Sequence, residues 1–269
     1  MIQDEEIDLL LNDLLEHYGY DFNFYSRASL KRRINRLFLL DKFTDFRTFR
    51  EQILSDTNYI KRFIEEITVN VTEMFRDSSF YKALRTDILP ILGTHPFIRI
   101  WHAGCSTGEE VYSMAILLHE AGLLNKSLIY ATDINPGVLE KAKSGIFPIG
   151  NMKSYSENYI GSGGIQDFSS YYTANYEGGK FNKELRDKMI FSTHNLVSDS
   201  SFNEFHLIVC RNVLIYFDKE LQERVFKLFD GSMGKLAYLA LGSKETIKFS
   251  DIQEKFNQVG KEKIWRKVK

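Results

Sequence analysis

Between Arg99 and Ala115 the chain reads RIWHAGCSTGEEVYSMA, an apolar strand ending that runs through a small-residue turn into a helix opened by two carboxylates, Glu109 and Glu110. In dinucleotide folds such a turn carries spaced glycines, so that a pyrophosphate can rest on the helix N-terminus. Carboxylates suit the helix dipole at that place but repel a pyrophosphate, which disfavours NAD and FAD. A cationic ligand fits better. The next apolar run ends in YATD, and Asp133, about 25 residues past Gly108, stands where an acidic side chain of such folds takes ribose hydroxyls. The two features together favour an adenosine cofactor without phosphate, and S-adenosylmethionine, with its ammonium and sulfonium, has that chemistry. Taken alone, Glu109 and Glu110 read equally well as a dipole-supported pair on a solvated face.

The elements that must position these residues are legible in the apolar spacing. Up to about Leu84 every segment reads as helix: IDLLLNDLLEHY, RASLKRRINRLFLL, FRTFREQIL and YIKRFIEEI repeat apolar residues at three and four, and no proline precedes Pro90. From Phe97 short apolar runs (FIRIWH, SLIYATD, MIFSTHN, FHLIVCRN, KLAYLALG) alternate with amphipathic ones. That alternation predicts a doubly wound α/β sheet with its ligand where strand ends meet helix N-termini. The expected division is a helical unit over 1–84 and an α/β domain over 85–269. The Gly-, Ser-, Asn- and Tyr-rich stretch 148–187 breaks the rhythm and reads as a small inserted substructure or a functional loop.

Composition limits the function classes. The 269 residues carry a net charge of −1, which argues against a general nucleic-acid binder. The start, MIQDEEIDLL, is acidic and no apolar run reaches membrane-spanning length, so a cytoplasmic protein without membrane insertion is expected. The two cysteines, Cys105 and Cys210, form no metal-ligand pattern, and no metal is expected. Charge is nevertheless uneven: acidic residues alone precede Arg27, and bases dominate from Arg27 to Arg50. A local basic face follows, suited to an acidic partner.

The stretches IWHAGCSTGEEVYSMA, ATDINPGVLEKAKSGIF, THNL and FHLIVCRNVLIYFD, preceded by ITVNVTEMFRD, resemble in order the signatures of the CheR-type chemoreceptor glutamate methyltransferases. The resemblance covers most of the chain. It implies an N-terminal all-helical domain, a Rossmann-like methyltransferase sheet and a small inserted β-subdomain. It also implies transfer of a methyl group from S-adenosylmethionine to glutamate carboxylates of chemoreceptor cytoplasmic helices, leaving S-adenosylhomocysteine.

For the site, the resemblance implies cofactor contacts from Asn70, Thr72 and Arg76 on the segment joining the domains, from Glu109, from Asp133, from Asn195 and Leu196 around the adenine, and from Arg211 and Asn212. An asparagine such as Asn195 can pair with an adenine edge through both donor and acceptor. Arg76 and Tyr216 are the candidates for the reacting centre. A guanidinium can hold either the cofactor carboxylate or the substrate carboxylate, and a phenol can orient an oxygen by one hydrogen bond. Glu109 rather than Glu110 is the expected cofactor contact.

On RASLKRRINRLF, Leu30, Ile34, Leu37 and Phe38 make an apolar stripe, with Arg32 and Arg36 one turn apart on the opposite side. The resemblance implies that this basic helix docks the acidic receptor bundle. Some members also hold a receptor C-terminal peptide by strand addition to the β-subdomain, but 148–187 here matches only loosely. Other departures are Met74 for a phenylalanine, His102 for a small residue, and LGSKETI near the end. Two further readings remain open: the same cofactor with another acceptor, and a non-catalytic module binding cofactor or receptor.

Overall fold

The computed structural model describes residues 2–23, 25–68, 70–176 and 178–269. The first four helices, α1 (Asp4–Tyr18), α2 (Arg27–Leu40), α3 (Phe46–Ser55) and α4 (Thr57–Ile67), pack as a bundle around Leu10, Ile34, Phe49 and Phe63, all fully buried. Asp45 caps α3 by accepting from the N–H of Thr48, and Asp56 caps α4 by accepting from those of Asn58 and Tyr59. The acidic first helix meets much of the basic run: Arg27 pairs with Asp8 at 2.7 Å, Lys31 with Asp4 at 2.8 Å, and Arg50 with Asp13 at 2.7 Å. The uneven charge seen along the sequence is therefore largely neutralised inside the bundle. Arg32 and Arg36 stay exposed on the far side of α2 from Leu30, Ile34 and Leu37.

The helical core ends at Ile67, and from Met74 the chain packs against the sheet. Helix α5 (Ser78–Ala83), a π-helical turn Leu84–Ile88 and α6 (Leu89–Leu92) lead to β1 (Ile98–Ala103). Ala83 and Leu84, where the sequence reading ends the helical unit, lie against the sheet's core. There follow α7 (Glu109–Glu120), β2 (Ser127–Asp133), α8 (Pro136–Ser144), β3 (Ile146–Phe147), α9 (Met152–Gly161), β4 (Tyr172–Asn175), β5 (Gly178–Phe181), α10 (Lys183–Arg186), β6 (Met189–Thr193), β7 (Phe205–Cys210), α11 (Lys219–Gly231), β8 (Met233–Leu241), β9 (Phe256–Gln258) and β10 (Ile264–Lys267).

Seven strands form the main sheet in the order β6-β2-β1-β7-β8-β10-β9. The strands from β6 to β8 are parallel, and β10 pairs antiparallel with both β8 and β9. Each expected strand is present; the antiparallel edge is the addition, which makes the sheet mixed. Residues of β1 alternate between the two layers, Ile98 and Ile100 to one core and Trp101 and Ala103 to the other. The chain reverses direction of winding between β1 and β7, which opens a crevice at their C-terminal ends.

The insertion forms a second, three-stranded antiparallel sheet, β3-β5-β4, with α9 beside it. Its aromatic residues Phe147, Phe168 and Phe181 are buried, which explains how a polar-looking stretch forms a packed unit. Gly178 has φ 142°, and a Cβ there would lie 2.3 Å from the Phe147 carbonyl oxygen. Gly178→Ala should therefore cost about 1–3 kcal/mol by prising β5 from β3. Urea unfolding measures this, and an unchanged midpoint would mean the small sheet tolerates the added methyl.

Candidate functional site

The crevice above β1 and β2 is shaped by backbone strain. Gly104 sits at φ 77°, where a Cβ would meet Val213 Cγ2 at 2.5 Å, so the turn needs glycine for both conformation and space. Ser106 and Asn212, which line this crevice, have positive φ without being glycine, as do Phe75 and Asp77 on either side of the lining residue Arg76. The Ser106 N–H donates to Asp133 Oδ2 at 2.8 Å and the Asn135 N–H to Oδ1 at 3.0 Å. These bonds fix the carboxylate at the end of β2. Burial nevertheless leaves its pKa above the ordinary carboxylate value.

The two glutamates of the turn point to different places. Glu109, the one favoured from the sequence, is buried with its carboxylate accepting from Thr107 Oγ1 at 2.6 Å and from the Tyr155 hydroxyl at 3.4 Å, and it does not line the crevice. Burial raises its pKa, and burial with the Glu109 charge pushes Tyr155 up to about 12. Glu110 lines the crevice instead. Helix geometry turns successive residues by about 100°, so only one of the pair can face it.

Glu110 belongs to a buried charge network. His102 Nδ1 lies 2.9 Å from its Oε1, and Arg211 Nη1 donates to Oε2 at 3.1 Å. Arg211 also donates to Asp77 Oδ2 at 2.6 Å and to the Arg76 carbonyl at 3.4 Å, while its guanidinium lies 4.0 Å from the Phe80 ring centre. Burial works to raise the Glu110 pKa, but His102 and Arg211 outweigh it and hold the carboxyl below its usual range. His102, unusual at this strand position, is thus a partner of the acidic group.

The remaining expected residues converge on one interdomain pocket. Asn70, Thr72, Arg76, Asp133, Asn195, Leu196, Arg211, Asn212 and Tyr216 all line it; Arg32 and Arg36 do not. Asn70 Nδ2 donates to Thr68 Oγ1 at 3.2 Å and to the Glu65 carbonyl at 3.3 Å. Asn195 Oδ1 accepts from the Val197 N–H at 2.9 Å, while its Nδ2 is buried without a partner among the described residues. Its oxygen is held by the loop, and the amide donors face the pocket's ligand without another claim on them among the described residues. Asn212 has its N–H held by Glu245 Oε2 at 3.0 Å, and the Gly242 N–H also donates to Glu245, whose pKa burial raises. Glu245, inside LGSKETI, and Tyr25, on the far wall, are site residues that spacing alone did not single out.

These residues fit S-adenosylmethionine. Two carboxylates, Glu110 and Asp133, face the pocket, and the buried Asn195 Nδ2 and Ser106 Oγ await partners. A sheet of this topology with such a pocket defines a methyltransferase of the S-adenosylmethionine-dependent class.

Residues 70–264 match the CheR methyltransferase SAM-binding domain, and residues 5–68 match the CheR methyltransferase all-alpha domain. The chain belongs to the CheR methyltransferase family. It is 46% identical over 265 residues to the putative methyltransferase Cher3 of Pseudomonas putida, covering 98% of this chain and 97% of that protein. It is 32% identical over 251 residues to the chemotaxis protein methyltransferase of Listeria monocytogenes, covering 92% and 93% respectively. Among solved structures, the N-methyltransferase NodS from Bradyrhizobium japonicum, in complex with S-adenosyl-L-homocysteine, matches with a TM-score of 0.42 and 12% identity over 73% of this chain and 89% of that chain.

The Glu110 network makes a pH prediction. A carboxyl whose folded pKa is depressed adds stability that is complete above its unfolded pKa of about 4.3 and is lost as pH falls through the folded value. His102 contributes most to depressing it and Arg211 next, and Arg211→Gln removes the second of these. Acid unfolding, followed by circular dichroism, should then begin at higher pH, with a loss of about 3–5 kcal/mol near neutrality. An unchanged acid midpoint would mean that Arg211 does not stabilise the Glu110 carboxylate.

Proposed function

We propose that the protein transfers a methyl group from S-adenosylmethionine to glutamate side-chain carboxylates of chemoreceptor cytoplasmic helices. The observation that carries this reading is the pocket itself, which Glu110, Asp133, Arg76 and Tyr216 line together. The names of the relatives, chemotaxis protein methyltransferases, support the choice of acceptor. When bound, the cofactor supplies a sulfonium methyl that a carboxylate oxygen can displace in line.

A glutamate acceptor with a pKa of about 4.3 is already ionised at neutral pH, so no side chain has to remove a proton. The protein's work is placement and exclusion of water. Arg76 is half-buried, and among the described residues its guanidinium makes a single long contact, to the Val71 carbonyl at 3.4 Å. It is free to grip a carboxylate, of the acceptor or of the cofactor. Tyr216 is half-buried, and burial raises the pKa of its phenol, which keeps the proton available for donation to an acceptor oxygen.

In this reading Glu110, rather than Glu109, meets the methionyl ammonium, because Glu110 alone of the pair faces the pocket. Asp133 takes the ribose, Asn195 donates to the adenine beside Leu196, and Asn70 and Thr72 close the wall from the joining segment. Arg211 acts through Glu110 and the Arg76 backbone, and Asn212 acts through the turn that Glu245 holds. Arg32 and Arg36 face solvent from α2 and would meet an acidic receptor helix. Arg36 has one long contact, 3.9 Å from Glu66.

Incubation with labelled S-adenosylmethionine and receptor cytoplasmic fragments should give protein-bound label that alkali releases. Base-stable label would show another acceptor chemistry, and binding without label would favour a module. Tyr216→Phe should lower turnover by about tenfold while S-adenosylhomocysteine affinity stays within about twofold; equal losses would remove Tyr216 from the reacting centre. Reversing Arg32 and Arg36 to Glu should weaken receptor methylation most at low salt, and an unchanged ionic-strength dependence would refute docking through α2.

A further inference from the structure

Arg76 stands between two residues in the left-handed region, Phe75 at φ 53° and Asp77 at φ 58°. A bulky aromatic is rarely found there, and such strain persists only where the surrounding structure over-determines the backbone. The groups that do so can be named. The Phe75 N–H donates to Ser113 Oγ of α7 at 3.0 Å, and Arg211 donates to the Arg76 carbonyl at 3.4 Å. Further restraints come from the inserted subdomain. Asn158 of α9 donates from Nδ2 to the Met74 carbonyl at 3.0 Å, and its own backbone carbonyl accepts from Ser78 Oγ at 3.0 Å. The Phe75 ring, fully buried, packs against Tyr159 and Phe168 of the insertion, with centres 5.2 Å and 6.2 Å away. Helix α9 thus grips the strained turn on both sides of Arg76.

These contacts bear on where the guanidinium goes. Phe75 is seated among the insertion's aromatic rings, while the next residue, Arg76, lines the pocket. Among the described residues the Arg76 guanidinium has only its long contact to Val71, so its placement comes from its backbone rather than from partners of its own. Asn158 is half-buried, and among the described residues its amide makes the one hydrogen bond to Met74. Releasing that carbonyl loosens a strained turn, and at a reacting centre a displacement of about 1 Å is enough to slow chemistry.

We propose that Asn158 is a positioning residue for Arg76, through which the inserted subdomain sets the geometry of methyl transfer. The proposal rests on the reading that Arg76 grips a carboxylate at the reacting centre, whether of the acceptor or of the cofactor. It gives the insertion a task that needs no receptor peptide.

A double-mutant cycle separates positioning from a general loosening of the insertion. Methyl transfer from labelled S-adenosylmethionine to receptor cytoplasmic fragments, and equilibrium binding of S-adenosylhomocysteine, are measured for the unaltered protein, Asn158→Ala, Arg76→Ala and the double variant. Asn158→Ala should lower the same measurement that Arg76→Ala lowers, by roughly three- to tenfold, the range expected for one net hydrogen bond. In the Arg76→Ala background the same change should cost less than about twofold, because the group it places is gone. Asn158→Asp, of the same shape but without the donor, should repeat the loss. Equal losses in both backgrounds would overturn the proposal, since a structural defect does not need Arg76, as would full transfer and binding by Asn158→Ala. If Arg76→Ala itself changes neither measurement, the reading of Arg76 falls and the proposal falls with it.

Discussion

One buried cation organises the centre of this molecule. Arg211 ends β7 with its guanidinium against Phe80, and its hydrogen bonds reach Glu110 at the start of α7, Asp77 before α5 and the carbonyl of Arg76. Two chain segments distant in sequence, 76–77 and the start of α7, are thereby fixed to the end of β7. Without that charge Glu110 would be a desolvated carboxylate with only His102 beside it, a costly arrangement in a low-dielectric interior. With it, an acidic group can be kept ionised on the pocket wall, where a cationic ligand profits from it.

The second constraint is that the pocket belongs to neither domain alone. The strand ends of β1, β2 and β7 give its floor, the segment from Asn70 to Arg76 one side, and the N-terminal end of α2 the roof. The roof is held by short local contacts: the Tyr25–Phe217 bridge, the Ser26 to Tyr216 hydrogen bond, and Arg33, which donates to the Glu66 carbonyl at 3.1 Å where α4 enters the joining segment. Few groups therefore set the distance between the cofactor wall and α2. A helix carrying exposed Arg32 and Arg36 on its outer side brings Ser26 and Ser29 to the pocket lining at its beginning, so the outer charges and the pocket wall share one rigid element.

Much of this was legible in the residues. Apolar spacing gave the helices and the five parallel strands, and the position of Asp133 at a strand end pointed to the crevice that it lines. The glutamate pair pointed to the cationic character of the ligand; the structure turns Glu110 rather than Glu109 to the crevice, because the facing of two neighbouring helix residues depends on how α7 is rotated against the sheet. The basic run from Arg27 to Arg50 suggested a local basic face, and α1 folds back to pair with Arg27, Lys31 and Arg50, which leaves Arg32 and Arg36 exposed. The aromatic content of 148–187 was on view, yet its helix α9 was hidden by weak periodicity.

The sequence by itself determined the elements, the family and the kinds of groups the site contains, because periodicity, turn glycines and charge type are properties of neighbouring residues. Only the tertiary structure decided which carboxylate lines the pocket, that the Asn195 oxygen accepts from the Val197 N–H while its amide nitrogen has no partner among the described residues, and that Tyr25 shares the pocket lining with Asp133. Those facts depend on contacts between segments separated by many tens of residues, where a rotation of one helix or the docking of one loop selects which of several suitable side chains reaches the ligand.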